Sequence, residues 1–237
     1  MNNENVRLEI IYQDAYLVAI NKPHGLLVHR TAIASDAREF AVQLLRDQLG
    51  RHVYPVHRLD RKTSGVLLFA LDADTNAHIQ RLFVERQIHK KYLAIVRGHT
   101  ADKGTIDNAL VDERGISQEA LTHYETLACC EIALPDQLFA TSRYSLVEVI
   151  PVTGRTHQIR RHFEHILHPI IGDRPHGCNK QNRLFKSHYQ MSTMLLCCTS
   201  MSFVHPVSTE PITITASVSR EFSRMTSALG LHQMLQV

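Results

Sequence analysis

His57-Arg58-Leu59-Asp60-Arg61-Lys62-Thr63-Ser64-Gly65-Val66-Leu67-Leu68 sets one acidic residue among basic side chains, then passes through Gly65 into an apolar run. Val53 to Leu59 and Val66 to Leu71 read as strands on either side of Asp60, which puts the carboxylate at a strand–loop junction. A carboxylate flanked by arginines suits attack on an electrophile carried by a polyanion. The guanidinium groups hold phosphates, and nearby positive charge lowers a carboxyl pKa. The same pattern also describes a surface turn with local ion pairs, since most such runs are solvated faces.

Working outward, Leu8 to Tyr12 and Tyr16 to Ile20 read as strands around a Gln13-Asp14 turn, and Lys22-Pro23-His24-Gly25 breaks the second. Ser35 is the expected N-cap of a helix carrying Phe40, Ala41, Leu44, Leu45 and Leu49, with Gly50 ending it. A second helix is expected from about Asp74 to Arg86, then a buried strand over Tyr92 to Val96. Residues 101–140 are less regular and predict two or three strands. Tyr144 to Ile150 is a strong strand, and Pro151-Val152-Thr153-Gly154 turns the chain into a helix from about Thr156 to Leu167. Late strands over Met194 to Val204 and Ile212 to Val218 precede a terminal helix near Arg220 to Leu229. With no repeat, linker or evident boundary, the pattern predicts one α+β domain over residues 1–237, a mixed, mostly antiparallel sheet flanked by helices.

Composition narrows the function classes. The chain of 237 residues is 44% hydrophobic and 21% charged, as soluble globular proteins are. It has no long apolar run, and Met1-Asn2-Asn3-Glu4-Asn5 lacks the features of a secretory signal, so the expectation is a cytoplasmic protein with no membrane partner. A net charge of +3 falls short of the strongly basic domains typical of nucleic-acid binders. Its distribution says more: Arg51, Arg58, Arg61 and Lys62 form one basic concentration, and Arg155, Arg160, Arg161 and Arg174 with nearby histidines form another. Cys129, Cys130, Cys178, Cys197 and Cys198 lack zinc-ligand spacing and read as buried reduced thiols. The His162 to His168 stretch has i, i+3 spacing on a helix, but no cysteine or paired carboxylate completes a metal site. Its histidines are expected to face RNA phosphate or solvent.

Four stretches together carry a resemblance: Asn21-Lys22-Pro23 with Gly25; His57-Arg58-Leu59-Asp60 with Thr63-Ser64-Gly65; Lys91-Tyr92; and Thr153-Gly154-Arg155-Thr156-His157-Gln158-Ile159-Arg160. His168-Pro169-Ile170-Ile171-Gly172-Asp173 and His205-Pro206 add to it. In this order, along nearly the whole chain, they resemble the RluA-type pseudouridine synthases. Val28-His29-Arg30, the His162 to His168 helix and Gln181-Asn182-Arg183 are similar to that family's synthase C group. The chain starts directly at the first catalytic-domain strand, so no separate N-terminal RNA-binding domain is expected.

The resemblance implies conversion of a uridine to pseudouridine, with tRNA as partner, uridine-65 of the T-arm stem as target and ribosomal RNA as the alternative. Asp60 takes the role of catalytic carboxylate. Arg160 is its basic partner, and Tyr92 stacks on the uracil and assists removal of the C5 proton. Arg58 supports the flipped-out nucleotide. His57, Arg61, Lys22, Arg155 and Arg161 are expected RNA contacts. The isomerisation needs no redox change or group donor, which implies no cofactor, and no obligate protein partner is inferred. A hydrolytic glycosidase would need a second carboxyl group, and the nearest, Asp72 and Asp74, belong to a helix start. A non-catalytic RNA-binding module is opposed by the intact Asp60, Tyr92 and Arg160 set.

Overall fold

The computed structural model describes residues 7–29, 39–135 and 140–231. It is α+β, with mostly antiparallel strand pairing. The chain divides into two compact units: one is built on the described residues up to His89 together with Cys198–Ser217, the other on Lys90–Cys197 with the described residues from Val218.

In the first unit, β1 (Ile10–Gln13) and β2 (Leu17–Lys22) form a hairpin. Its turn is held by the Asp14 carboxylate, which accepts from the Tyr16 and Leu17 amides. Next, α1 (Ala41–Leu49) ends at Gly50 in the left-handed conformation, φ 65°. Phe40 occupies its N-cap position without a side-chain cap, and the expected cap Ser35 lies outside the described residues. β3 (Tyr54–Pro55), β4 (Ser64–Ala70) and α2 (Ala73–Val84) complete this stretch. Every residue of β4 is buried, which is why it reads as an unbroken apolar run. Asp72 caps α2 by accepting from the Thr75 amide at 2.7 Å, and Ile79 and Leu82 are its buried apolar residues.

The strand expected over Val53 to Leu59 shrinks to Tyr54–Pro55. Pro55 has no amide to donate. The Leu68 amide, next along β4 beyond the Pro55–Phe69 pair, donates to the His57 ring Nε2 at 3.0 Å instead of to a neighbouring strand. Residues 57–63 are thereby freed to form a loop.

In the second unit, β5 (His89–Arg97), β6 (Lys103–Asp107), β7 (Leu110–Val111), β8 (Ser117–Gln118), β9 (Leu121–Ile132) and β10 (Ser142–Pro151) precede α3 (Gln158–His165) and α4 (Asn179–Tyr189). Strands β5, β10, β9 and β6 pair in that order, all antiparallel, and β7 pairs with β8. The described residues between 101 and 140 thus hold four strands, more than expected. Ile95, Tyr144, Leu146, Phe185 and Leu195 form the core with Met225. That last residue belongs to α5 (Arg220–Ala228), capped by Ser219. Before it, β11 (Leu196–Val204) carries the chain back into the first unit and pairs there with β12 (Pro211–Thr215). Among the described residues no helix is long and apolar enough to cross a membrane.

Candidate active site

The Asp60 loop is pinned from several sides. The Thr63 amide donates to the Asp60 carbonyl at 3.0 Å, closing a turn with Arg61 and Lys62 at its corners. The Gly25 amide donates to the Arg61 carbonyl at 2.8 Å, and Arg61 Nε returns a bond to the Gly25 carbonyl at 3.1 Å. Lys22, wholly buried, drives its ammonium into the carbonyls of Pro23, Leu26 and Arg61 at 2.9, 2.8 and 3.2 Å. The proline loop and the Asp60 turn are therefore cross-tied. Behind the turn, Gly65 has φ +104°, and a Cβ there would stand 2.0 Å from the Cys198 carbonyl oxygen. Only glycine lets β4 begin so close to that backbone.

Asp60 is half-buried in this frame, while Arg58 and Arg61 are exposed. The field is positive: half-burial, then Lys62, Lys22 and Arg61, push the His24 pKa down to about 4. One expected RNA contact is corrected here. Lys22 is internal, so its charge shapes the loop and does not reach a phosphate. His57, half-buried, accepts from the Leu68 amide at Nε2 and packs its ring 5.3 Å from Phe83, which anchors the start of the loop.

Tyr92 and Arg160 stand in the second unit. Tyr92 lies on β5 opposite Val149 of β10 and is 7% exposed. Arg160 lies on α3, whose start is organised by Gln158. The Gln158 side-chain oxygen accepts from the Thr153 hydroxyl and the Arg155 amide, and its nitrogen donates to the Leu121 carbonyl and the Thr122 hydroxyl. Arg160 is 5% exposed and meets the buried Asp173 carboxylate with two bonds, Nε to Oδ2 at 2.6 Å and an Nη to Oδ1 at 2.8 Å. Asp173 is clamped in turn. Asn182 on α4 accepts from the Gly172 amide at 2.8 Å and donates to the Asp173 carbonyl. Arg155 and Arg161 each donate to a backbone carbonyl, of Glu119 and Val111 respectively.

Asp173, Asn182 and Gln158 were not singled out as site residues by the sequence. The signal was present for Asp173, which lies in the quoted His168 to Asp173 stretch, but a carboxylate 13 positions from its arginine shows no helical pairing. The helix α4 was missed because its eleven residues, NKQNRLFKSHY, carry little apolar periodicity. His162 corrects another expectation: it is fully buried, bonded to the Thr122 hydroxyl and the Asn108 carbonyl, and burial lowers its pKa. The cysteines are free, but only Cys197 and Cys198 are buried; Cys129 is exposed. Among the described residues no group of histidines, cysteines and carboxylates could hold a metal.

Residues 16–165, a span holding Asp60, Tyr92 and Arg160, match the RNA pseudouridylate synthase family model. The chain belongs to that family. This pseudouridylate synthase is 42% identical over 231 residues to a protein of Vibrio parahaemolyticus called tRNA pseudouridine synthase C, covering 93% of this chain and 94% of the relative. It is 44% identical over 234 residues to the Haemophilus influenzae protein of the same name, covering 94% and 98%. Among solved structures, human RNA pseudouridylate synthase domain containing 4 superposes with a TM-score of 0.72 at 26% identity, covering 94% and 93%. Human RNA pseudouridylate synthase domain containing 1 shares the fold, with a TM-score of 0.70 at 22% identity. As a pseudouridine synthase the chain is an isomerase. It moves C1′ of a nucleotide from N1 to C5 of the same uracil.

Proposed function

We propose that this synthase acts on tRNA and isomerises uridine-65 in the T-arm stem, with Asp60 as its catalytic carboxylate. The observation that carries the substrate is the identity of 42–44% to proteins called tRNA pseudouridine synthase C, over at least 93% of this chain. The choice of uridine-65 rests on the resemblance to the synthase C group. A tRNA substrate implies a cytoplasmic enzyme, and the reaction calls for no redox group or donor.

Breaking N1–C1′, turning the uracil and joining C5 to C1′ asks for a carboxylate beside the ribose and the base. The Asp60 turn offers one, half-buried and held by its own backbone. A paired uridine must first leave the helix, at a cost of roughly a few kcal/mol. Arg58, exposed and two residues before Asp60, fills the vacated space. Tyr92 stacks on the extruded uracil and helps remove the C5 proton after the new bond forms. Arg160, oriented by Asp173, is the basic member of the set. The test is pseudouridylation of unmodified tRNA and ribosomal RNA transcripts with position mapping, alongside Asp60→Asn. Product at uridine-65 that the variant does not make is the expected result. Product only in ribosomal RNA would overturn the substrate, and substantial turnover by Asp60→Asn would overturn the carboxylate's role.

A further inference from the structure

On the second unit a cavity of about 250 Å³ opens between the Gly172 turn, α4 and the segment before β11. Its wall carries Arg174, Arg183 and Lys186, with Asn179, Ser192 and Thr193, and no carboxylate is part of it. Arg183 and Lys186 are one helical turn apart on α4, and Asn179 precedes Arg183 by another, so the three share a face. All three cations are exposed, and among the described residues none has a carboxylate partner. Asp173, between Gly172 and Arg174 in the chain, is buried and committed to Arg160. The Thr193 hydroxyl oxygen is buried with no hydrogen-bond partner, although buried hydroxyls are almost always bonded.

Size and chemistry together select the occupant. The volume lies below the roughly 300–1,000 Å³ of pockets that enclose drug-sized ligands, and the wall offers cations, amides and hydroxyls rather than aromatic faces for a base. Two guanidinium forks and an ammonium suit the oxygens of a phosphate. We propose that this cavity is a phosphate subsite that grips one backbone phosphodiester of the RNA substrate, a reading that rests on the tRNA function above. The cavity is tied to the Arg160–Asp173 pair through Gly172, which lines it, and Asn182, which joins α4 to the turn carrying Asp173. Gly172 is required at that place: its φ is +83°, and a Cβ would stand 1.9 Å from the Thr193 carbonyl oxygen.

The test is the double variant Arg183→Gln/Lys186→Gln, with Lys103→Gln, which removes an exposed cation on β6 paired with Glu125, as the control. Binding of unmodified tRNA is measured as a function of salt, and phosphate-ethylation interference locates the contacts. The expected result is an affinity about tenfold weaker, as loss of a charge-assisted contact gives. The log–log salt slope becomes shallower by roughly 0.7–0.9, the value for one phosphate. One interference position seen with the wild type disappears. Unchanged affinity, slope and interference pattern relative to Lys103→Gln would show a merely solvated helix face and overturn the subsite. Weaker binding with every interference position retained would also overturn it. If the wild type instead modifies ribosomal RNA, the substrate reading fails on its own, and the same variants measured on that RNA still decide the subsite.

Discussion

Asp173→Asn tests whether the buried guanidinium of Arg160 depends on its carboxylate. The wild-type pair has side chains 6% and 1% exposed and two bonds of 2.6 and 2.8 Å. Hydrogen bonds to charged groups contribute about 1.5–3 kcal/mol each, and stripping one partner from a buried pair costs about 3–5 kcal/mol. Asparagine keeps the shape and one acceptor but turns an N–H donor toward another N–H donor. The expected loss is therefore near the lower end, about 3 kcal/mol. With a urea dependence of about 2–3 kcal/mol per molar, that moves the unfolding midpoint down by roughly 1–1.5 M. The chain has no tryptophan, so far-UV circular dichroism is the appropriate signal. Arg160→Met/Asp173→Leu, which removes both charges, should recover most of the lost stability while remaining inactive in pseudouridine formation. A midpoint shift under about 0.4 M for Asp173→Asn would put the pair in the class of exposed ion pairs, worth about 0–1 kcal/mol, and refute the reasoning.

Gly65→Ala should lower stability by about 3 kcal/mol, or roughly 10 °C in Tm, because the added Cβ meets the Cys198 carbonyl as well as a forbidden φ. Gly115→Ala, with φ +81° and open space around it, isolates the conformational part and should cost only about 1–2 kcal/mol; equal effects of the two, read by calorimetry, would rule out the clash. His24 has a folded pKa near 4 against an ordinary 6.5, so the unfolded chain takes up a proton that the fold resists. Its contribution is complete above pH 6.5 and lost as pH falls toward 4. After allowing for solvent screening, urea titrations at pH 7 and pH 4.5 should show about 1–2 kcal/mol more acid loss in wild type than in His24→Asn, and parallel losses would disprove it. Tyr92→Phe should reduce single-turnover pseudouridine formation by about 100-fold or more if its hydroxyl moves the C5 proton, with RNA affinity kept because the ring remains. A rate within a few-fold of wild type would leave only the stacking role.

Motifs whose residues lie close together in the chain were the legible part. The Asp60 turn, the Gly65 entry to β4, the Asp72 helix start and the long strand β10 all follow from local chemistry, because turns, caps and apolar runs are written in consecutive residues. Partnership across the chain was not legible. Periodicity cannot show that the His57 ring would take the Leu68 amide and cut a strand short. Nor can it show that Lys22 would meet the Arg61 carbonyl 39 positions away, or Arg160 the carboxylate of Asp173. The sequence leads instead to Lys22 and His57 as RNA contacts and to Arg160 as the basic partner of Asp60, because lysine and arginine are mostly exposed in proteins and their internal partners lie far along the chain. The helix α4 escaped for the converse reason: Gln181 and Phe185 are its buried residues, and Gln181 is held by the Tyr144 hydroxyl, not by an apolar stripe.

Burial of these cations changes what the net charge of +3 means. Lys22 and Arg160 contribute to that total, yet their charges are satisfied inside, by carbonyls and by Asp173. Lys91, Lys103, Arg143 and Arg224 are exposed or partly so, but each is paired with a glutamate. Arg58, Arg174, Arg183 and Lys186, by contrast, are exposed and have no carboxylate partner among the described residues. A polyanion responds to unneutralised charge within about a Debye length, ~8 Å at physiological salt, and not to the total over the chain. A weakly basic protein can therefore hold RNA through a few local sites, each releasing counterions from the phosphate it covers. Arg58 in one unit and the α4 cluster in the other have the exposure and lack of internal partners that such sites require.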